Sequence, residues 1–239
     1  MSNLTEVYGE EIKMLIEKGK TNREISSLLG ISKSTVQSIA SKNGYIKNKW
    51  TLSNLQEEVL IANIIGDGCL FKSTENSNAR MNLAHSLKQE IYFNFKYDIL
   101  KDLIRCTPKK RSWVDKRTGN EYHEIRFQSK VHPKFTELWL EFYENGKKII
   151  PKNSLDKFGD LLFAIKYFDD GCKTGGSYTI AMCDYDEKSI ENFMLWMLEK
   201  LNIKSNLHKN KIIYFPTSEK PKLYKIFKKY ATEDLWYKI

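Results

Sequence analysis

The most regular feature of the chain is a pair of apolar runs that end alike. Residues 59–72 read VLIANIIGDGCLFK and residues 161–173 read LLFAIKYFDDGCK. Apolar side chains recur at i, i+3, i+4 and i+7, at Leu60, Ile61, Ile64 and Ile65 in the first and at Leu161, Leu162, Ile165 and Phe168 in the second. That spacing predicts two helices, each with one buried face. Gly68 and Gly171 are the expected stops, since glycine enters the left-handed conformation without a Cβ penalty. Asp67 and Asp170 then stand at helix C-termini, where the negative end of the macrodipole costs a carboxylate roughly 0.3–1 kcal/mol. Two such violations in matching frames, 103 residues apart, point to a function that overrides a local rule.

Residues 9–43 predict three short helices. Ile12, Leu15 and Ile16 give the first an apolar face and Gly19 ends it. Thr21 caps NREISSLL, Gly30 turns the chain, and Ser32 caps the third helix. With Asn22 as first position, Ile25, Leu29, Ile31, Val36 and Ile39 fall where a helix-turn-helix packs, with Ser26 at the helix crossing. An ordinary helical hairpin shares this pattern. The stretch resembles the helix-turn-helix family over about 22 residues. The resemblance leaves Lys33, Ser34, Thr35, Gln37, Ser38 and Lys42 to face a major groove and its phosphates. The expected module spans 1–47 and a basic linker 48–54, with Thr51 or Ser53 capping the first Asp-Gly helix.

Beyond that helix, LFKS and ARMNLAHS predict strands around the turn TENSN. Ser86 caps a helix over LKQEIYFNFKYDILKDLI. YHEIRFQS is a strand and 133–143 a helix. The order then restarts: a helix ending at Asp170, a strand in SYTIAMC, an amphipathic helix in EKSIENFMLWMLEKL, strands in NIKSNLH and KIIYFP, and a basic helix in SEKPKLYKIFKKY. This is an internal repeat of element order, with halves at 55–150 and 151–239.

Composition narrows the partners. A hydrophobic content of 41% supports a packed core. With 39 basic and 30 acidic residues the net charge is +9, which favours a polyanion. The excess is concentrated: residues 101–134 carry ten Lys/Arg against four Asp/Glu, and residues 200–229 carry nine Lys against Glu219 alone. Cys69, Cys106, Cys172 and Cys183 form no C-x-x-C pair, which argues against zinc or a disulfide framework and for a reducing, cytoplasmic setting. The longest apolar runs, of about five residues, fall far short of the ~20 that a membrane span needs, and the N-terminus has neither a signal-peptide core nor transit-peptide character.

Helices from the two repeats, packed side by side through Ala62, Gly66 and Ala164, would bring Asp67 and Asp170 together. Two bare carboxylates repel, and a divalent cation removes the conflict. Mg²⁺ accepts such oxygen ligands and can activate water against a phosphodiester. The flanking strands would then form two saddle-shaped sheets whose basic faces cover a duplex.

At these residues the chain resembles the single-chain, two-motif LAGLIDADG homing endonucleases. The motifs are LIANIIGDG (60–68) and FAIKYFDDG (163–171), and HSLKQEIYF, RFQSKVHPKFTELWLEFYENGKKIIP and the terminal DLWYKI are similar to family segments in the same order. The resemblance implies an α+β fold of two pseudo-symmetric αββαββα halves, here preceded by the three-helix module. It implies an Mg²⁺- (or Mn²⁺-) dependent DNA endonuclease cutting both strands of a long asymmetric target. Asp67 and Asp170 would be the metal-binding carboxylates, with Asp169 a helper or simply a polar helix end.

Family members place a Lys or Gln near the end of the second strand of each half. Here His85 and Cys183-Asp184 stand there, so His85 and Lys211 are the candidate catalytic helpers, with Lys88, Arg126 and Lys209 as stand-ins. Lys72, Lys88, Arg126, Lys173 and Lys209 are candidate DNA contacts. The expected protein is a monomer acting on double-stranded DNA, away from membranes, in a bacterial or phage context or an organelle. A non-cleaving DNA-binding regulator and an intron maturase that binds RNA are the alternatives.

Overall fold

A computed structural model of the chain describes residues 4–18, 20–43, 45, 52–75 and 77–239. The chain divides into two compact units, Met1–Thr51 and Leu52–Ile239. Gly19 and most of the expected linker lie outside the described residues. No helix among the described residues is long and apolar enough to cross a membrane.

The amino-terminal unit holds α1 (Leu4–Glu17), α2 (Asn22–Leu29) and α3 (Lys33–Lys42). Its core is Ile12, Ile16, Ile25, Val36, Ile39 and Ala40, with Leu15, Leu29, Ile31 and Tyr45 packed against it. Thr21 and Glu24 cap α2 reciprocally: the Glu24 N–H donates to Thr21 Oγ1 at 3.1 Å and the Thr21 N–H to the Glu24 carboxylate at 2.6 Å. Gly30, at φ 65°, closes α2, and the Ser26 hydroxyl donates to the Ile31 carbonyl at 2.6 Å across the turn. Ser32 caps α3.

The larger unit runs α4 (Asn54–Ile65), β1 (Cys69–Phe71), β2 (Arg80–Ser86), α5 (Glu90–Leu100), β3 (Lys109–Val114), β4 (Glu121–Gln128) and α6 (Pro133–Phe142). A short hairpin, β5 (Tyr143–Glu144) and β6 (Lys147–Lys148), leads to the second half. That half comprises α7 (Asp160–Asp170), β7 (Gly171–Thr174), β8 (Ser177–Ala181), α8 (Glu187–Leu201), β9 (Asn206–His208), β10 (Ile212–Tyr214), α9 (Lys220–Tyr230) and a terminal 3-10 turn, Glu233–Lys238. The repeat is visible in the sheets: β1-β2-β4-β3 and β7-β8-β10-β9 are antiparallel four-stranded sheets of equivalent order.

The two motif helices pack against each other. Both are buried all round rather than on one face: every residue from 59 to 65 of α4 and from 161 to 168 of α7 is buried. A central helix enclosed by other elements has no solvent face to keep polar, so a one-sided stripe was the wrong expectation. The stops also differ from expectation. Gly171 is extended (φ −93°, ψ 158°), and Gly68 is not among the glycines with positive φ. Both are glycine because of crowding: a Cβ on Gly68 would lie 2.7 Å from the Asn63 carbonyl oxygen, and one on Gly171 2.3 Å from that of Tyr167.

Candidate active site at the paired helix ends

The two motif carboxylates are not equivalent. Helix α4 ends at Ile65, with Gly66 as its cap, so Asp67 lies beyond it, whereas α7 continues through Asp169 and Asp170. Gly66 faces Asp169 so closely that a Cβ there would stand 2.2 Å from Asp169 Oδ2. Asp169 is completely buried and fully engaged. Its Oδ1 accepts from Lys96 Nζ at 2.6 Å and from the Tyr92 hydroxyl at 2.8 Å, and its Oδ2 accepts from the Asp67 N–H at 3.0 Å.

His85 bridges this network to Asp67. Its Nε2 lies 3.0 Å from Lys96 Nζ and its Nδ1 3.3 Å from Asp67 Oδ2. An ammonium only donates, so Nε2 accepts and the ring proton sits on Nδ1, facing Asp67. Ligand atoms of Asp67, His85 and Asp169 lie within 4.8 Å of one another. Asp170 turns to Lys166 Nζ, 2.6 Å away, yet its charge still acts on Asp67.

Lysines answer the unfavourable helix ends. Lys148 Nζ donates to the Gly66 carbonyl at 2.5 Å and Lys238 Nζ to that of Phe168 at 2.6 Å, placing one ammonium on each motif helix C-terminus, where the macrodipole favours a cation. The Tyr185 hydroxyl donates to the Ile65 carbonyl at 2.8 Å. Burial lowers the pKa of both Lys148 and Lys238.

The titrations separate the carboxylates. Burial, then the Asp169 charge, pushes Asp67 up to about 7. Burial would raise Asp169 too, but the Lys96 ammonium and the donors around it outweigh that and hold Asp169 below the usual carboxylate range. Burial and the neighbouring Lys96 charge lower His85 to about 3, so its ring is neutral.

Asp67 is therefore the carboxylate left open. Its side chain is 37% exposed, and among the described residues no ammonium pairs with it. It borders a groove that also exposes Ser86, Lys88, Trp113 and Tyr122. A partly exposed oxygen donor that no ammonium compensates suits a hard divalent cation that keeps some of its waters, so the residues present fit a divalent cation at Asp67.

The sequence-predicted residues scatter. His85 joins Asp67, and Lys88 is exposed along the same groove. Lys211 does not join them: its Nζ donates to the Tyr185 carbonyl at 2.6 Å, in a separate pocket with Cys69, Tyr143, Lys148 and Asp184. Lys72 lies 5.1 Å over the Trp139 ring. Lys173 pairs in register with buried Tyr178, and its Nζ donates to the Ile239 carbonyl at 2.6 Å. Lys209 is exposed in the turn between β9 and β10. On α3, Lys33, Ser34, Gln37 and Lys42 are exposed and Thr35 is half-buried. The Ser34 and Thr35 hydroxyls bond to Ser32 Oγ at 2.7 and 2.8 Å.

The sheet faces differ in charge. Register places Arg126 beside Ala84 and Lys109, and Arg111 beside Glu124, on the face of the first sheet opposite buried Leu83, Ile125 and Phe127. The matching face of the second sheet carries Cys172, Thr179, Ala181, Ile212, Tyr214, His208 and Asn206, without Lys or Arg. Basic faces were expected on both sheets, and only the first has one. Sequence reasoning missed Lys96 and Tyr92 altogether. The available signal was a lysine on the buried stripe of α5, among Tyr92, Phe93 and Leu100.

Comparison with known proteins gives the family. Cytochrome b mRNA maturase bI2 of Debaryomyces hansenii is 25% identical over 220 residues, covering 88% of this chain and 83% of the relative. Probable intron-encoded endonuclease 1 of Wickerhamomyces canadensis is 28% identical over 214 residues, covering 81% and 87%. Among solved structures, the homing endonuclease I-WcaI bound to its DNA recognition sequence matches with a TM-score of 0.70 at 26% identity, over 89% of this chain and 96% of that one. Residues 57–223, which contain all of α7, α4 from Glu57 onward and both sheets, match the family model, and with them the chain belongs to the LAGLIDADG DNA endonuclease family.

Proposed function

We propose that this LAGLIDADG endonuclease hydrolyses both strands of a specific DNA duplex beneath its two sheets, using a divalent cation, Mg²⁺ or Mn²⁺, taken up by Asp67, with Asp170 as the second-half counterpart. The observation that carries the reading is the groove-facing Asp67 carboxylate, which meets the neutral His85 ring but no ammonium among the described residues, beside a sheet face bearing Arg111 and Arg126. A bound divalent ion supplies an acidified water and charge stabilisation at the leaving oxygen. The chain supplies the rest. His85 presents its Nδ1–H to Asp67 and fixes that carboxylate's direction. Lys148 and Lys238 offset the helix ends on which the acids stand. The basic face of the first sheet neutralises phosphates, while the uncharged second sheet face contacts bases and sugars.

The test is incubation with a duplex spanning the uninterrupted insertion locus, with Mg²⁺. Asp67→Asn and Asp170→Asn should each abolish double-strand cleavage while target affinity changes less than about threefold, because only the metal chemistry is removed. Full cutting by either variant refutes that residue's metal role. Two sheets within one chain provide both half-sites, so the protein acts as a monomer. Helix α3 of the amino-terminal unit adds a second DNA contact through Lys33, Gln37 and Lys42, which are exposed on a capped helix.

One observation favours a second activity: the relative from Debaryomyces hansenii is named as an mRNA maturase. Splicing of the host intron in vitro, with and without the protein, tests it. The relatives from Debaryomyces hansenii and Wickerhamomyces canadensis are fungal, and the second is named as intron-encoded, which supports an organelle intron among the settings expected from sequence.

A further inference from the structure

Three potential ligands converge at the helix ends, and one buried cation stands among them. We infer that Lys96 is a built-in substitute for a divalent ion. Its ammonium fills the space between Asp169 and His85, so that Asp67 alone of the Asp67–His85–Asp169 group is left open to metal. This rests on the reading that Asp67 takes up a divalent cation.

The three N–H directions of Lys96 are accounted for. Asp169 Oδ1 lies at 2.6 Å, His85 Nε2 at 3.0 Å, and the Tyr92 ring centroid at 4.2 Å. Asp169 in turn has no idle oxygen, because Oδ1 takes Lys96 and Tyr92 and Oδ2 takes the Asp67 N–H. Both side chains are 0% exposed. Mg²⁺ demands six oxygens at about 2.1 Å and normally retains several waters, which a sealed space between Asp169 and His85 does not admit. An ammonium needs three acceptors and no water, and it satisfies the buried carboxylate that would otherwise be left uncompensated. His85 is locked by the same contact: with Nε2 occupied by Lys96, it turns an N–H rather than a lone pair toward Asp67. Lys96 is a positioning residue, acting on Asp67 through His85 and Asp169.

The experiment counts Mn²⁺ bound by the full chain without DNA, reading free Mn²⁺ by electron paramagnetic resonance, with circular dichroism confirming the fold of each variant. Lys96→Met combined with Asp169→Asn removes the ion pair while keeping the charge balanced, and it should bind as many Mn²⁺ as the native protein. Lys96→Ser, which opens the space and frees Asp169, should bind one more, and Lys96→Ser/Asp169→Asn should lose that extra ion. Loss of an ion in the charge-balanced pair, or no gain in folded Lys96→Ser, overturns the inference. If Lys96→Ser does not fold, the charge-balanced pair decides alone. Asp67→Asn separates this failure from that of the metal reading: it should bind one Mn²⁺ fewer, and an unchanged count refutes metal at Asp67 whatever the Lys96 variants do.

Discussion

Replacing His85 with Gln should make the fold less sensitive to acid. The ring is 1% exposed and lies against the Lys96 ammonium, and these two causes take its pKa from 6.5 to about 3. Above pH 6.5 the ring is neutral in both the folded and unfolded chain, and the stability is fully present. As pH falls from 6.5 toward 3, the unfolded chain gains a proton that the folded chain refuses, and stability is lost. One pKa unit corresponds to about 1.4 kcal/mol, so between pH 8 and pH 5 the native protein should lose about 2 kcal/mol on this account. Asp67 titrates in the opposite sense over part of the same window, since its folded pKa is raised, but it is present in both proteins and drops out of the difference. Gln can still accept from Lys96 and donate toward Asp67, so geometry is kept and only the titration is removed. The assay is urea unfolding at several pH values between 5 and 8 with a chelator present. The native-minus-variant stability should fall by about 2 kcal/mol from pH 8 to pH 5; parallel stability curves would refute the buried neutral imidazole.

Three further changes probe the supports of the site. Gly171→Ala should destabilise the unit by roughly 1–3 kcal/mol, because the new methyl would lie 2.3 Å from the Tyr167 carbonyl oxygen, whereas Gly159→Ala, with its nearest neighbour at 3.9 Å, should change the melting temperature little. Asp234→Ala should cost about 1 kcal/mol, read by thermal melting, since the Asp234 carboxylate accepts from the Ile91 and Tyr92 N–H groups at the start of α5 at 2.9 and 3.1 Å. Deleting residues 1–47 should weaken DNA affinity and flatten its dependence on salt, as fewer phosphates are neutralised; an unchanged binding isotherm would make the amino-terminal helices purely structural.

What the sequence could determine is what neighbours along the chain decide. Thr21, Ser32 and Ser53 each cap the next helix, because a hydroxyl reaches an amide two or three residues on. Ser86, expected to cap α5, caps instead a 3-10 turn, Leu87–Gln89, and α5 begins after it at Glu90 without a side-chain cap of its own. The apolar runs located the motif helices, and the repeated Asp-Gly-Cys frame marked their ends. Strand β3 escaped detection since all six of its residues are exposed, leaving no alternation to read. Strand β7, GCKT, is buried only at Gly171 and is equally silent. The division of labour among the acids was also hidden. Helix α7 runs through two residues whose counterparts lie past the end of α4, and this turns Asp169 inward and leaves Asp67 at the groove. The cation that completes the arrangement, Lys96, is 73 residues from Asp169 in sequence. Local pattern places an element in the chain, but not how much of its surface is enclosed, as the all-round burial of both motif helices shows. Which charge meets which is settled only when helices from separate halves close on one another and exclude water, since burial is what makes a lone carboxylate costly and its partner necessary.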